Sequence, residues 1–295
     1  MDIAEYGVSP TIDPLMQQME EFDLFKHALE LEAYGMTIVP KEKLGVSDDF
    51  GARLREAILR TCEKRNGVKI DDYLTAEPDP KETSKNSWYL LQEDDVFVEA
   101  ATNPRMLTLV RWLCGQSAVL AGHTWIIKGA GGKSLGLHSD AHGIPPGGGH
   151  IAHVCNASWV CTDYTSAEDG PTVFVPGSHR FGRATLPHET KIDETPFETV
   201  PLIAEAGSLA IWHGMTWHGS VPRTKPGLRV TLVQVFMRLH MRPVHHWEGE
   251  VPEELIERFP ELKRVLGEHL YPYREHNDNP ERVGPFMKTG TDPFA

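Results

Sequence analysis

The sequence predicts a mainly β fold with a helical cap (α+β), in which helices flank an antiparallel sandwich or barrel. Three observations predict it. Helical periodicity dominates residues 1–115, short β-branched and aromatic runs fill residues 118–240, and a helical pattern returns over residues 250–295. Length alone would allow one large domain or two small ones. We interpret the three parts as one domain over residues 1–295.

The helical part begins with residues 14–34, where apolar side chains recur at spacings of three and four. This pattern predicts an amphipathic helix. Gly35 is the expected end of that helix, and the apolar residues 36–39 after it predict a short strand.

Further helices are predicted over residues 48–63 and from about 95 to 114, where apolar side chains again share one face. The polar segment 75–87 between them contains prolines and predicts a loop. Near the end of the chain, residues 252–270 predict a last helix before a proline-rich terminus.

The central part consists of short runs rich in β-branched and aromatic residues, separated by Gly, Pro and Asp. No helical pattern lies between them, which favours antiparallel pairing over a parallel sheet. The runs are AVLAGHTWIIKG, HIAHVCNASWVCTDY, PTVFVPGS, GSLAIWHG and RVTLVQVFMRL.

Charge excludes some classes of partner. The 29 Lys and Arg against 42 Asp and Glu give a formal net charge of −13, which disfavours nucleic acid and anionic membranes. No window approaches the roughly 18 apolar residues of a membrane span. The N-terminal stretch lacks the basic and apolar regions of a signal peptide.

Cysteine usage points to a reducing compartment. The four cysteines form no C-x-x-C pair and are too few for a disulfide framework. Cys155 and Cys161 lie in an apolar stretch and are expected to be buried thiols. We therefore expect a cytoplasmic protein, monomeric or homodimeric, that binds a small molecule.

A candidate metal-binding motif, Leu137-His138-Ser139-Asp140, follows a glycine-rich segment. On a strand, residues i and i+2 point to the same face, so His138 and Asp140 can both turn inward. They would supply two ligands of a 2-His-1-carboxylate triad. Alone, an H-x-D motif is weak, because chance makes it common.

The third ligand must come from a distant strand, and residues 207–220 offer His213 and His218. Arg229 lies eleven residues after His218 and opens the run RVTLVQVF. A guanidinium there could bind a carboxylate of a cosubstrate with two hydrogen bonds. His213 has no arginine at that offset, so the spacing favours His218.

At this point the sequence resembles the phytanoyl-CoA dioxygenase family of Fe(II)/2-oxoglutarate-dependent oxygenases. The resemblance covers about residues 120–237, and residues 34–39 also match. The matching pieces are His138-x-Asp140, Gly170-Pro-Thr172 through Pro176-Gly-Ser-His179, and Gly207 to Ser220 with Arg229.

The resemblance implies a double-stranded β-helix, also called a jelly roll or cupin-like core. It implies iron ligation by His138, Asp140 and His218, with Arg229 on the C5 carboxylate of 2-oxoglutarate and Thr172 as a further cosubstrate contact. Implied cofactors are Fe(II), 2-oxoglutarate and O2, with ascorbate as a reductant that maintains Fe(II).

The chain departs from the family pattern at Leu135, where relatives often carry a polar cosubstrate contact such as Gln. This leaves the other end of 2-oxoglutarate without an assigned side-chain partner, and Lys128 and His123 are the candidates to contact it. For the substrate, we expect contacts from three residues on predicted strands, Trp125, Ile127 and Trp159. Trp88, which precedes these strands, and His142, in a Gly/Pro loop, are further candidates. The alternative for the aromatic residues is that they pack in the core.

The expected activity is hydroxylation, desaturation or rearrangement at an unactivated C–H bond of a small, apolar metabolite, with release of succinate and CO2. Two alternatives stay open. One is a cupin-type metal-dependent hydrolase or isomerase without 2-oxoglutarate. The other is a non-catalytic binding module on the same fold.

Overall fold

The computed structural model describes residues 12–140, 144, 148–247 and 249–267. It begins with two helices, α1 (Ile12–Glu21) and α2 (Phe25–Tyr34), where the sequence predicted one. The break lies at Asp23, whose φ of 52° is incompatible with a continuous helix. Gly35 ends α2 as predicted, because its φ of 75° suits glycine and its N–H donates to the Leu31 carbonyl.

The next strand and helix agree with the sequence analysis: β1 (Met36–Val39) and α3 (Phe50–Asn66). The predicted loop contains a single helical turn, α4 (Pro80–Thr83). The predicted helix over 95–114 is two helices, α5 (Asp95–Ala101) and α6 (Pro104–Cys114). Asn103 separates them, since its side chain accepts the backbone N–H groups that open α6.

Antiparallel strands make up two sheets. One has five strands in the order β1-β7-β4-β9-β2 and the other has four in the order β3-β8-β5-β6. A strand of the helical part, β1, thus joins the larger sheet as an edge strand. The bounds are β2 (Val119–Lys128), β3 (Leu135–His138), β4 (Val154–Val160), β5 (Thr172–Phe174), β6 (Val200–Pro201), β7 (Leu209–His213), β8 (His218–Ser220) and β9 (Arg229–Met237).

The two faces of the five-stranded sheet pack differently. One face joins the helices in the largest apolar cluster, where the Phe50 ring of α3 meets Trp159 of β4 at 4.9 Å between centroids. The other face turns toward the four-stranded sheet, where Phe174 of β5 meets Trp212 of β7 at 5.4 Å. This is the double-stranded β-helix with flanking helices that the sequence predicted.

The predicted last helix is also divided, into α7 (Glu253–Arg258) and α8 (Glu261–Val265). Pro260 lies between them and lacks the N–H that would continue α7. Both helices contribute buried apolar residues to the helix-side cluster. Within the described ranges, no helix is long and apolar enough to cross a membrane.

Candidate metal centre

Three side chains able to ligate a metal come together where β3 pairs with β8. His138 ends β3, Asp140 follows it, and His218 begins β8. The two histidines lie directly opposite each other in the antiparallel pairing. In the part of the chain that the structure describes, these three form a group whose potential ligand atoms all lie within 4.8 Å of one another.

Both histidines are oriented in the same way by the backbone. Nδ1 of His138 lies 2.9 Å from the Gly136 carbonyl, and Nδ1 of His218 lies 3.0 Å from the Thr216 carbonyl. A carbonyl only accepts, so each Nδ1 carries the hydrogen. In the neutral rings, the Nε2 lone pairs are therefore free to bind a metal.

The spacing of the ligand atoms fits one ion. Nε2 of His138 lies 3.4 Å from one oxygen of Asp140, and Nε2 of His218 lies 3.3 Å from the other. Adjacent ligands of an octahedral ion bound at about 2.1 Å would be roughly 3 Å apart. Two nitrogens and one oxygen on one side of an ion make up the facial triad of non-haem iron oxygenases.

Asp140 is held in its ionised form. Burial alone raises the pKa of its carboxyl, but when the rings of His138 and His218 are protonated, with no metal on Nε2, their hydrogen bonds and charges outweigh burial and hold the pKa well below its usual range. The buried Asn156 amide of β4 also donates to the carboxylate at 2.8 Å. A carboxylate fixed in this way is oriented before a cation arrives.

His213, the other histidine considered for the metal, does not join this group. Its Nδ1 accepts the Met215 N–H at 3.0 Å, and burial lowers the pKa of its ring to about 4. Its neighbour Trp212 lines the cavity beside the triad, whereas the His213 ring lies 5.4 Å from that of His179 in a separate cavity. Strand alternation thus turns it away from the metal group.

The triad lines a cavity of about 470 Å³ that also contains Thr172 and Arg229. Arg229 is 3% exposed, and its Nη1 donates to the Gly170 carbonyl. Its Nε has no partner within the described ranges, although it is buried. An unpaired buried N–H is costly unless a ligand accepts it, so the guanidinium fits a carboxylate in the cavity.

A second cation lies beside Arg229. Lys128 is its cross-strand partner on β2 and lines the same cavity. Its ammonium donates to the Ser220 hydroxyl at 3.0 Å and to the Val221 carbonyl. Burial, followed by the charge of Arg229, lowers the pKa of Lys128 to about 7. Two adjacent cations favour a dianion in this cavity.

Only some of the predicted substrate contacts lie at the cavity. Ile127 reaches the cavity although it belongs to the helix-side apolar cluster, whereas Trp125 and Trp159 belong to that cluster and do not line the cavity. These two side chains are corrected to core residues, because their strand positions face the helices. The Trp125 indole donates to the Thr83 carbonyl at 2.8 Å and the Trp159 indole to Gln234 at 3.0 Å. His142 lies outside the described residues.

Of the two residues considered in place of a polar contact at position 135, the structure places one in the cavity and one outside it. Leu135 and Lys128 line the cavity, but Lys128 lies beside Arg229, whereas a contact for the other end of 2-oxoglutarate would lie apart from it. His123 is wrong for this role, since it is fully buried on the helix side with its ring 5.8 Å from Phe97. Burial lowers its pKa to about 3.

Several cavity residues were not predicted from the sequence. Asn156 and Ser158 alternate along the otherwise apolar β4 and both face the cavity. Polar residues at i and i+2 in a buried strand were a usable signal. Ser220, two residues after His218, had the same spacing as the H-x-D pair.

Comparisons with known proteins agree with this geometry. The family described as Phytanoyl-CoA dioxygenase (PhyH) matches residues 31–231. "Dioxygenase af480" of Aspergillus fumigatus is 29% identical over 219 residues, which are 73% of this chain and 69% of that protein.

Solved structures share the fold. HygX from Streptomyces hygroscopicus, with nickel and 2-oxoglutarate bound, has a TM-score of 0.59 at 15% identity and covers 74% of this chain and 88% of its own. EctD from S. alaskensis, with 2-oxoglutarate and 5-hydroxyectoine, has a TM-score of 0.58 at 20% identity. The match covers 76% of this chain and 82% of the EctD chain.

The family match spans more than half of the chain, and iron, 2-oxoglutarate and O2 are the cofactors of this enzyme class. The expected enzyme class is therefore confirmed, and the candidate metal group agrees with the expected iron and 2-oxoglutarate, whereas ascorbate stays a prediction. The chain belongs to the phytanoyl-CoA dioxygenase family and is a dioxygenase.

Proposed function

We propose that this enzyme oxidises an unactivated C–H bond of a small apolar metabolite, with Fe(II) bound by His138, Asp140 and His218. Hydroxylation, desaturation or rearrangement would follow from that oxidation. One observation carries the proposal. The histidine–aspartate group shares its cavity with Arg229, whose buried Nε lacks a partner among the described residues.

Iron with 2-oxoglutarate and O2 would supply the oxidising power, with succinate and CO2 as coproducts. The protein's own residues would bind and orient. His138 and His218 would present neutral Nε2 atoms, because backbone carbonyls hold their Nδ1 hydrogens. Asp140 would supply the anionic ligand, held in place by Asn156.

The cosubstrate would be held at its far end by charge. Arg229 would bind the C5 carboxylate of 2-oxoglutarate, and Lys128 would reinforce it from the neighbouring strand. Thr172 lies opposite Ser220 in the β5–β8 pairing, and both line the cavity. Their hydroxyl groups are suited to further hydrogen bonds with the same molecule.

The remaining cavity wall favours an apolar substrate. It contains several apolar side chains, of which three are more than two-fifths exposed: Trp88, Ile126 and Leu135. Exposed apolar side chains that converge on one cavity are typical of a ligand site. A hydrolase without 2-oxoglutarate would leave the buried Arg229 and Lys128 without an anionic partner.

The test is succinate formation by purified enzyme supplied with Fe(II), 2-oxoglutarate, ascorbate and a panel of apolar metabolites. We expect at least one metabolite to stimulate succinate release and to gain or rearrange a functional group. His218→Ala should lose this activity, whereas His213→Asn should retain it, because Asn can still accept the Met215 N–H. Substrate conversion that needs neither Fe(II) nor 2-oxoglutarate, or full activity in His218→Ala, would contradict the proposal.

A further inference from the structure

Trp88 lies at the mouth of the triad cavity, outside the two sheets. It lines the cavity and is 41% exposed. An isolated bridge pairs its backbone with Thr124 of β2. The indole packs over Gly122, where an added Cβ would lie 3.2 Å from its Cζ3 atom. A large flat side chain therefore forms part of the entrance.

The backbone around Trp88 is conformationally unfavourable. Asn86 has a φ of 49° and Tyr89 a φ of 60°. Asparagine tolerates this left-handed region, but it is strained for a bulky residue such as tyrosine. Such a conformation persists only where the surrounding structure determines it, and it occurs often at ligand sites.

Arg65, near the end of α3, makes three of the contacts that hold this segment. Its Nη1 donates to the carbonyls of Asn86 at 2.7 Å and Trp88 at 2.6 Å. Its Nη2 donates to the Tyr89 carbonyl at 3.0 Å. Glu93 accepts from the same guanidinium at 2.9 and 3.2 Å and neutralises its charge. One side chain thus binds three carbonyls within four residues.

Aromatic rings pack against the other side of the segment formed by residues 86–89. Tyr89 stacks on His245 with centroids 4.1 Å apart, and the edge of Trp88 contacts the same imidazole at 4.9 Å. His245 is 2% exposed and therefore gives a fixed support. The Trp88 indole is constrained on both sides while its exposed part faces the cavity.

We propose that Trp88 determines specificity for the apolar part of the substrate and that Arg65 is the positioning residue that fixes it there. This inference rests on the proposed function for its substrate. The contacts with three backbone carbonyls need a guanidinium, because a lysine ammonium lacks the planar geometry and the five N–H donors of arginine. Arg65 is not among the described residues that line the cavity, so it acts through Trp88.

The probe for this inference is N-phenyl-1-naphthylamine, a neutral apolar fluorophore, titrated into the protein loaded with Mn(II) and 2-oxoglutarate. We expect Trp88→Ala to weaken probe binding about tenfold, as for truncation of an aromatic anchor. Trp112→Ala is the matched control, since Trp112 is a partly exposed tryptophan that lines a different cavity. It should leave probe binding unchanged.

Arg65→Lys should weaken probe binding nearly as much as Trp88→Ala. Arg60→Lys, on the same helix and paired with Asp94, should not. In a Trp88→Ala background, Arg65→Lys should cause no further loss, because its effect passes through the missing indole. A general structural role would instead produce the same loss in both backgrounds, and that additive result would overturn the positioning role.

The outcome for Trp88 is separate from that for the proposed function. Unchanged probe affinity in Trp88→Ala, or no probe binding to the wild type, would overturn the role of Trp88. Failure of the wild type to bind Mn(II) or 2-oxoglutarate would instead overturn the proposed function. Both variants should keep wild-type affinity for 2-oxoglutarate, which shows that the triad cavity is still folded.

Discussion

His138 and His218 are cross-strand partners in the β3–β8 pairing, and each binds the backbone carbonyl two residues before it through Nδ1. The same local arrangement is thus repeated on two strands that are 80 residues apart in sequence. It gives both rings the tautomer with a free Nε2 and turns both toward Asp140. The metal group follows from this symmetry of the strand pair rather than from a flexible loop.

Asn156 should tune metal binding without being a ligand. Asn156→Ala removes the amide that donates to Asp140 and is expected to weaken Fe(II) affinity about 10–100-fold, as for other residues that orient metal ligands. Anaerobic metal titration measures this. Ser158→Ala is the control on the same face of β4 and should change the affinity little.

Arg229 should govern the cosubstrate and not the metal. Arg229→Ala removes the main charged partner of a buried carboxylate, which costs about 2–5 kcal/mol, or roughly 30-fold or more in 2-oxoglutarate affinity. Titration of the Mn(II)-loaded protein with 2-oxoglutarate measures this loss, and Mn(II) affinity itself should be retained. An unchanged cosubstrate affinity would remove Arg229 from its proposed role.

Lys128 should make cosubstrate binding depend on pH. The pKa of its ammonium is lowered to about 7, so the group is charged below that pH and becomes neutral above it. A bound carboxylate favours the charged form, so binding above pH 7 requires uptake of a proton. The affinity for 2-oxoglutarate should therefore fall by up to about tenfold per pH unit above 7. In Lys128→Met this decrease of 2-oxoglutarate affinity above pH 7 should disappear.

Gly219 should be required for the strand pair. A Cβ on Gly219 would lie 2.5 Å from the Leu135 carbonyl oxygen and 3.1 Å from the carbonyl carbon and oxygen of Gly136, and these backbone atoms cannot rotate away. Gly219→Ala is expected to lower the free energy of unfolding by about 1–3 kcal/mol in urea titrations. Gly129→Ala is the control, since its Cβ would meet only a leucine side chain at 3.6 Å.

The sequence was sufficient to predict that His138, Asp140 and His218 come together. A period of two places His138 and Asp140 on one face, and the spacing from His218 to Arg229 distinguished His218 from His213. The helix breaks were harder to predict. Asn103 before a proline was a visible capping signal, but the left-handed conformation of Asp23 leaves no mark in an amphipathic pattern.

The direction of buried strands could be predicted only in part. On β4 the polar pair Asn156 and Ser158 was a usable signal, whereas the largely apolar β2 is covered on both faces and does not reveal which face lines a cavity. The contact between Arg65 and the Trp88 segment is a further example. It joins residues 23 positions apart through backbone carbonyls, which no side-chain pattern reports.

Anaerobic Fe(II) titration of alanine variants at His138, Asp140 and His218 tests the central claim most directly, with the exposed His188→Ala as control. We expect one high-affinity ion per chain in the wild type and the control. Each of the three variants should lose it while keeping a wild-type circular dichroism spectrum. High-affinity binding that persists in all three would contradict the assignment of this site as the iron centre.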